Sequence, residues 1–535
     1  MSESFYDYIV IGSGFGGSVA AMRLAEKGYS VLVLEQGKRY RNEDFPKTNW
    51  SLHKYIWAPR LRWFGFQKLS AFKEVFILSG VGVGGGSLVY AATHMFPPDA
   101  FFQNPVWAHY RDWKTTLMPF YEKARFMLGS TRNPAFYRAD ELLQEIAAGM
   151  EREHTFGRVD VGIYFGDREQ ETDPYFNGLG PMRRGCVECA GCMVGCRYNA
   201  KNTLDKNYLY FAQQFGARIE AERRVYRIEF ADGVYTVHTR SSTAWFGGRR
   251  QVFRSRGLVV SAGVLGTLEL LLKQKYRYKT LPALSDTLGE NLRTNSEMLC
   301  GVTAPEEKLN HGVAISTYFE PDDATHVEIV KYPDGSNAMK TMGIPAADGK
   351  SHLARILNLL GRLIRHPLTF LRVLLGRDWS TRSIILLVMQ TLDSSMRMVY
   401  RRFPFPGITI RNSRDNRVPA FIDIGQEVMY RFAKKVNGIP QNTVTDVLFN
   451  MSTTAHILGG CPMGRSAEEG VVNERFEVFG YPRMYILDGS IIPCNLGVNP
   501  SLTITALSEY AMSLVPKKEG YTGKTLDELI EEGRH

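Results

Sequence analysis

At 535 residues the chain exceeds what one ordinary hydrophobic core accommodates, so two domains, separate or interleaved, are expected. Hydrophobic residues at 44% and charged residues at 22% exclude a disordered chain, and no apolar run is long enough to span a membrane. The net charge of +10 comes without any nucleic-acid recognition motif, which argues against that partner and points to an anionic membrane surface.

The first element is the most informative. Residues 8–11 form a short apolar run ending at Gly12, Gly14 and Gly17 complete G-x-G-x-x-G, and residues 18–27 read as a helix with Ala20, Ala21 and Leu24 inward. Gly28 ends that helix, and a second apolar run, 30–34, delivers Glu35. Glycines here let backbone N–H groups at a helix N-terminus approach a pyrophosphate, and an acid after the second strand accepts hydrogen bonds from an adenosine ribose. A dinucleotide site that begins within about six residues of Met1 leaves no room for a signal peptide, so a cytoplasmic location is expected.

Residues 49–69 carry Trp50, Tyr55, Trp57, Trp63, Phe64 and Phe66 among Lys54, Arg60, Arg62 and Lys68. That mixture suits either a bilayer headgroup layer or a loop packed over a cofactor. The turn at 80–91 is glycine-rich again: Gly82, Gly84, Gly85 and Gly86, followed by Ser87, let main chain lie against a flat ligand or a diphosphate. A nicotinamide enzyme has no ordinary need of this second loop, whereas a flavoprotein that wraps FAD from several sides does.

A helix is expected over 112–129, followed by irregular chain that leads into a cysteine cluster. Four of the seven cysteines, Cys186, Cys189, Cys192 and Cys196, do not form the pattern of a secreted disulfide framework. Their C-x2-C-x2-C-x3-C spacing is that of bacterial ferredoxins, with Arg197 where proline is usual. Iron–sulfur ligation is the expectation, with zinc and an unligated loop as alternatives.

Residues 217–221 and 225–230 alternate like strands, and 257–266 reads as a buried strand turning through Gly263 into a helix over 267–273. Further on, alternating runs at 312–319, 325–331, 383–389, 396–401 and 407–410 predict an antiparallel sheet, the platform of a substrate domain. Within that region residues 353–375 read as an amphipathic helix divided at Pro367, with a polar stripe of Arg355, Asn358, Arg362, Arg365, Thr369 and Arg372. The insertion, 352–377, is expected to lie in a membrane interface with its arginines reaching for phosphates, making the protein a peripheral membrane protein.

The C-terminal region carries the chemistry. His456 leads a glycine pair, Asp488 and Gly489 cap an apolar strand as a flavin-contacting turn would, and Asn499 with Pro500 opens a helix whose positive end faces a flavin. Together with the two glycine-rich turns, these stretches resemble the glucose-methanol-choline (GMC) oxidoreductases, in particular their cholesterol-oxidase-like branch with its mycobacterial members. The resemblance covers nearly the whole chain.

An α/β fold follows, in which a Rossmann-like FAD-binding domain (1–48, 70–130, 186–299 and 450–520) is interleaved with an α+β substrate domain built on an antiparallel sheet (131–185 and 300–449). Residues 49–69 form an aromatic and basic cover. The cofactor FAD is expected on Gly12, Gly14, Gly17, Glu35, Gly82, Gly84, Gly85, Gly86, Ser87, Gly263, Asp488 and Gly489. The resemblance adds the backbone of Val225 at adenine and assigns His456 and Asn499 to catalysis, Asn499 also at the flavin.

It further implies oxidation of a hydrophobic alcohol (sterol-like, 3-hydroxysteroid or terpenoid) to the carbonyl, with hydride passing to flavin N5 and electrons to oxygen or an acceptor protein. A non-redox flavin lyase or photodecarboxylase and a membrane-associated lipid-binding flavoprotein are the alternatives. A His456 neutral near pH 7 would take or relay the hydroxyl proton. Sterol oxidases that also move a double bond use a carboxylate over the substrate ring. Gln390 and Asp393 are the nearest positions the sequence offers.

Overall fold

A computed structural model describes residues 5–245, 248–404, 406–413 and 416–533. Two seven-stranded sheets form its frame. In the first, Phe5–Ile11 lies between Val31–Leu34 and the end of Arg250–Val260, parallel to both. Arg218–Glu220 extends one side and Met484–Ile486 the other, also in parallel. The core of this sheet is covered on both faces, and its central strands accordingly read as unbroken apolar runs rather than alternating ones. The start of Arg250–Val260 runs on beyond the parallel part and pairs antiparallel with Val234–Ser241, which in turn pairs with Arg223–Ala231.

The fingerprint helix is Phe15–Glu26, starting three residues before the expected boundary because Gly16 and Gly17 belong to its first turn. Val19, Ala20, Ala21 and Leu24 are wholly buried, and the helix packs between Tyr208–Gln214 and Ser501–Ser513. Close approach fixes its start. A Cβ on Gly17 would stand 2.1 Å from the Gly12 carbonyl oxygen, and one on Gly16 1.8 Å from that of Leu487.

The second sheet is antiparallel, in the order Gly343–Pro345, Ile439–Thr443, Met298–Thr303, Ser383–Gln390, Thr325–Val330, Ile315–Asp322, Gly157–Arg158. Helices Arg138–Gly149 and Asp423–Lys435 cover one face, with Leu142, Ile146, Val428 and Phe432 packed on Met298, Val302 and Val388. The predicted strand at 312–319 starts only at Ile315. Gly312 has φ +110°, and its backbone is engaged by the cysteine loop through Gly312 N to Glu188 O (3.0 Å) and Ala190 N to Gly312 O (2.8 Å).

Two expectations fail here. Met396–Arg401 and Gly407–Asn412 do not join the second sheet but pair with each other as a ribbon. Their alternation arises because Met396, Met398 and Ile410 face the core of the first domain while the other side is open. The insertion is helical and divided at Pro367, as His352–Arg365 and Pro367–Leu375, but the expectation that its whole arginine stripe faces outward fails. Arg355 is buried and Arg362 bonds Asp348 at 3.0 Å, while Leu353, Leu357, Leu360 and Ile364 face outward. Polar partners on the protein claim Arg355, Asn358 and Arg362, while Arg365 and Arg372 stay exposed and the apolar side is left uncovered. No helix among the described residues is long and apolar enough to cross a membrane.

The fingerprint helix is tied to the C-terminal segments by a buried ionic network. Arg23 donates to Glu509 at 2.8 and 2.9 Å and to Glu26 at 2.9 Å, Tyr208 OH donates to Glu509 at 2.7 Å, and Leu526 N donates to Glu26 at 2.6 Å. Removing one member of such a network leaves buried charge without a partner. Arg23→Leu is expected to lower stability by about 3–5 kcal/mol; an unchanged denaturation midpoint would refute that role.

Candidate active site

The first turn, the second glycine loop and the strand-to-helix turn at Gly263 meet around one cleft of about 320 Å³, lined by Gly12, Gly14, Glu35, Gly85, Val225 and Gly263 among others. Glu35 is buried at its floor and accepts from Ser13 N (3.1 Å), Ser13 Oγ (2.8 Å) and Gly37 N (2.8 Å). Burial pushes its carboxyl up, and these donors only partly counter that. The two glycine loops touch directly, since a Cβ on Gly85 would lie 2.6 Å from Gly14 Cα.

In front of Gly14 and Gly263 there is open space, with nothing within 4 Å of a Cβ. A backbone-lined cleft with an acid at its base and bare glycines facing it fits the adenosine diphosphate part of a dinucleotide.

Not every glycine-loop residue faces this cleft. Gly82, at φ +140°, is hemmed in by Leu88 and Tyr40, and Gly84 is left-handed at φ +108°. The Ser87 hydroxyl donates to Gly84 O (2.7 Å) and accepts from Leu204 N (3.1 Å). These three shape the loop; Ser87 spends its hydroxyl inside the protein rather than on a ligand. Gly17 likewise seats the helix on the turn.

Asp488 accepts from Ser490 N (2.8 Å), Ser490 Oγ (2.6 Å) and Thr267 Oγ1 (2.5 Å), which fastens the last parallel strand to the Gly263 turn. Gly489 packs against Val264 of that turn.

A second group of polar side chains gathers between the sheets. His456 follows the short strand Ser452–Thr454, and its Nδ1 lies 2.6 Å from Glu297 Oε1. The other Glu297 oxygen accepts from Ala455 N at 3.0 Å. Asn499, just before Ser501–Ser513, donates from Nδ2 to Glu328 Oε2 at 3.2 Å, while its buried Oδ1 has no partner. Glu328 is itself fully buried on Thr325–Val330, with His326 Nε2 at 3.3 Å from its other oxygen.

Burial disfavours a charged His456, but the Glu297 carboxylate, aided by Glu328, outweighs it and holds the imidazole above its ordinary value. The Glu297 partner, not visible in sequence, adds to the expected histidine a carboxylate that favours its protonated form. His326 is similarly raised, to about 8: burial lowers it, and Glu320 and Glu328 more than compensate.

Neither Glu297 nor Glu328 was singled out in the sequence. Glu328 could have been, as the one acid inside the otherwise uncharged run Thr325–Val330. The positions considered instead lie elsewhere. Asp393 pairs with Arg293 and is largely exposed, and Gln390 bonds Thr325 Oγ1 at 2.9 Å.

The cysteines do not assemble as expected. Among the described residues no three His, Cys, Asp or Glu side chains converge as metal ligands. Cys192 is buried, Cys189 exposed, and Cys186 and Cys196 lie between these extremes. Burial pushes up the thiols of Cys186 and Cys189 and raises that of Cys192 to about 11. Left-handed turns at Glu188 and Ala190 and the backbone bonds to Gly312 hold the loop in this form. The residues do not fit a cluster, and no chemistry is assigned to one.

Residues 10–41 match the NAD(P)-binding Rossmann-like domain family and residues 412–508 the GMC oxidoreductase family. The chain is 43% identical to a cholesterol oxidase of Acinetobacter baumannii, covering 98% of both chains. It is 44% identical to a cholesterol oxidase of Mycobacterium tuberculosis (strain ATCC 25618 / H37Rv), over 96% of this chain and 91% of that one. A long-chain-alcohol oxidase of Arabidopsis thaliana is 24% identical, over 93% and 65%. The crystal structure of pyridoxine 4-oxidase from Mesorbium loti shares the fold, with a TM-score of 0.60 at 13% identity over 95% of this chain and 99% of that one. A dinucleotide cradle on the parallel sheet and these relatives over nearly full length agree: the chain belongs to the GMC oxidoreductase family.

Proposed function

We propose that the protein is an FAD-dependent oxidase of a hydrophobic alcohol, with a sterol-like 3-hydroxyl compound as the first candidate. The observation that carries this reading is the His456–Glu297 pair, with Asn499 held on Glu328 and its Oδ1 without a partner. Relatives named cholesterol oxidase and long-chain-alcohol oxidase support the substrate class, and the word oxidase favours dioxygen as acceptor.

FAD, held by its diphosphate over Gly12, Gly14 and Gly85 with its ribose near Glu35 and adenine near Val225, would supply the hydride acceptor. With Nδ1 committed to Glu297, the His456 Nε2 is left for the carbinol hydroxyl and takes its proton. Glu297 stabilises the imidazolium that results. Asn499, its Nδ2 committed to Glu328, offers Oδ1 to orient the same hydroxyl.

Deprotonated His456 is the base, so activity is expected to rise with pH through the raised pKa of this residue. Glu297→Gln removes what raises it, which should move the rising limb to lower pH and reduce the plateau. An unmoved pH profile would exclude Glu297 from this role.

His456→Ala should retain yellow FAD but bleach it with substrate about 10²–10⁴-fold more slowly. The decisive measurement is anaerobic. A 3-hydroxysteroid and a long-chain alcohol are mixed with the holoprotein, and bleaching by neither would favour a lyase or a lipid-binding flavoprotein instead.

Buried Glu328 favours one addition, transfer of a proton between carbons of a β,γ-unsaturated ketone product. Glu328→Gln is expected to keep oxidation while the unconjugated ketone accumulates; conjugated ketone formed at the wild-type rate would remove Glu328 from that step.

A further inference from the structure

The two helices of the insertion present a face that the fold leaves uncovered. Leu353, Leu357, Leu360 and Ile364 of His352–Arg365 are 50–80% exposed, and Leu368, Leu371 and Leu375 of Pro367–Leu375 continue the same ridge at 44–73%. An amphipathic helix on a water-soluble protein ordinarily turns its leucines to the core and its arginines to solvent. Here the leucines face outward, and Arg355 and Arg362 turn to the protein.

Arg355 is buried, reaching Asn450 Oδ1 at 2.5 Å and lying 4.9 Å from the Phe421 ring. Arg362 bonds Asp348 at 3.0 Å and Tyr430 OH at 2.8 Å, and Asn358 donates to Asp348 O at 2.6 Å. These polar contacts act as the foundation of the helix, and the ridge is what it displays. Seven large aliphatic side chains in one stripe form an apolar patch of the kind that marks a contact surface.

What covers the ridge is indicated by charge. Arg365 and His366 at the break between the helices, and Arg372 and Arg377 beyond it, are exposed. Beside the start of the first helix lies a cleft of about 430 Å³ lined by Lys73, His352, Arg411, Arg417 and Phe449, with Glu74 the one acid among the described lining residues. Glu74 is already engaged by Asn412 Nδ2 at 2.8 Å.

A leucine ridge bordered by cations and a basic cleft complements the apolar interior and phosphate surface of an anionic bilayer. A second copy of the chain would bring the same cations against each other. We infer that this face docks on an anionic phospholipid membrane, with the ridge entering the acyl boundary and the cleft receiving a headgroup phosphate.

The docking face is mechanically joined to the site. His352 Nε2 contacts the carbonyls of Val447 (3.0 Å) and Leu448 (3.2 Å) at the end of Val444–Phe449, and Arg355 holds Asn450. From there the chain passes through Ser452–Thr454, whose Ser452 Oγ donates to Glu297 O at 3.1 Å, to His456. The inference deepens the proposed function by naming where a water-insoluble alcohol is met, and the two can fail separately.

The test is sedimentation of the FAD-loaded protein with sucrose-filled vesicles. Binding is expected to equimolar phosphatidylcholine and phosphatidylglycerol, to be weaker to phosphatidylcholine alone, and to fall with salt. The exposed triple variant Leu357→Glu, Ile364→Glu, Leu371→Glu should bind about tenfold or more weakly at unchanged FAD content and circular dichroism. Lys73→Glu with Arg417→Glu should lower the phosphatidylglycerol preference.

Oxidation of detergent-dispersed alcohol is read in parallel and should be unchanged in these variants. Vesicle binding without oxidation would refute the proposed activity and leave the docking face standing. Equal binding by the triple variant would overturn the docking inference, as would a self-associated wild type that the triple variant makes monomeric without any vesicle binding.

Discussion

Backbone in contact with backbone, with no side chain between, is the constraint on which the molecule depends. Gly12 against Ser261, Gly16 against Leu487 and Gly85 against Gly14 bring the first turn, two later parallel strands and the second glycine loop to within a distance that a single methyl group would prevent. Because those contacts lie at the carboxyl ends of parallel strands, they leave a cleft lined by the glycine turns, and Glu35 is buried there, accepting three hydrogen bonds from Ser13 and Gly37. The cradle is therefore a property of close packing rather than of particular side chains facing a ligand.

The proposed catalytic group depends on a different principle, the cost of a buried charge. Glu297 and Glu328 come from the antiparallel sheet or its approach, and His456 and Asn499 from segments that return to the parallel sheet. Each carboxylate is tied to a partner across that boundary, Glu297 to His456 and Glu328 to Asn499. A buried carboxylate without such a partner would be costly, so the pairings also hold the two sheets in register at the place where substrate would enter. Positioning of the groups proposed to meet substrate and the joining of the two sheets are one set of hydrogen bonds.

What was legible in the sequence follows from range. The Gly12-to-Glu35 unit is local, a strand, turn, helix and strand whose periods can be read directly, and it appears with small boundary shifts. His456 and Asn499 stood out through their glycine and proline neighbours and through family resemblance. Glu297 and Glu328 did not, because their meaning lies in contacts across 159 and 171 residues. Periodicity found the amphipathic helices of the insertion and their break at Pro367, but period says which residues share a face, not which medium covers it. Asp348 and Asn450 decided that. The cysteine spacing misled for a related reason: ligand spacing matters only if the turns between cysteines point the thiols at one centre.

The ionic network under the fingerprint helix has a consequence for how the holoprotein comes into being. Arg23 is made early and its partner Glu509 is 486 residues away. Gly16 rests on Leu487, and the helix that carries Glu509 is one of the two walls of the fingerprint helix. A growing polypeptide thus exposes the first strand and helix throughout synthesis without the wall that seals them or the carboxylate that neutralises Arg23. Closure around the fingerprint helix therefore waits for the segments that carry Leu487 and Glu509, and until then the early segment is apolar and lacks its final partner.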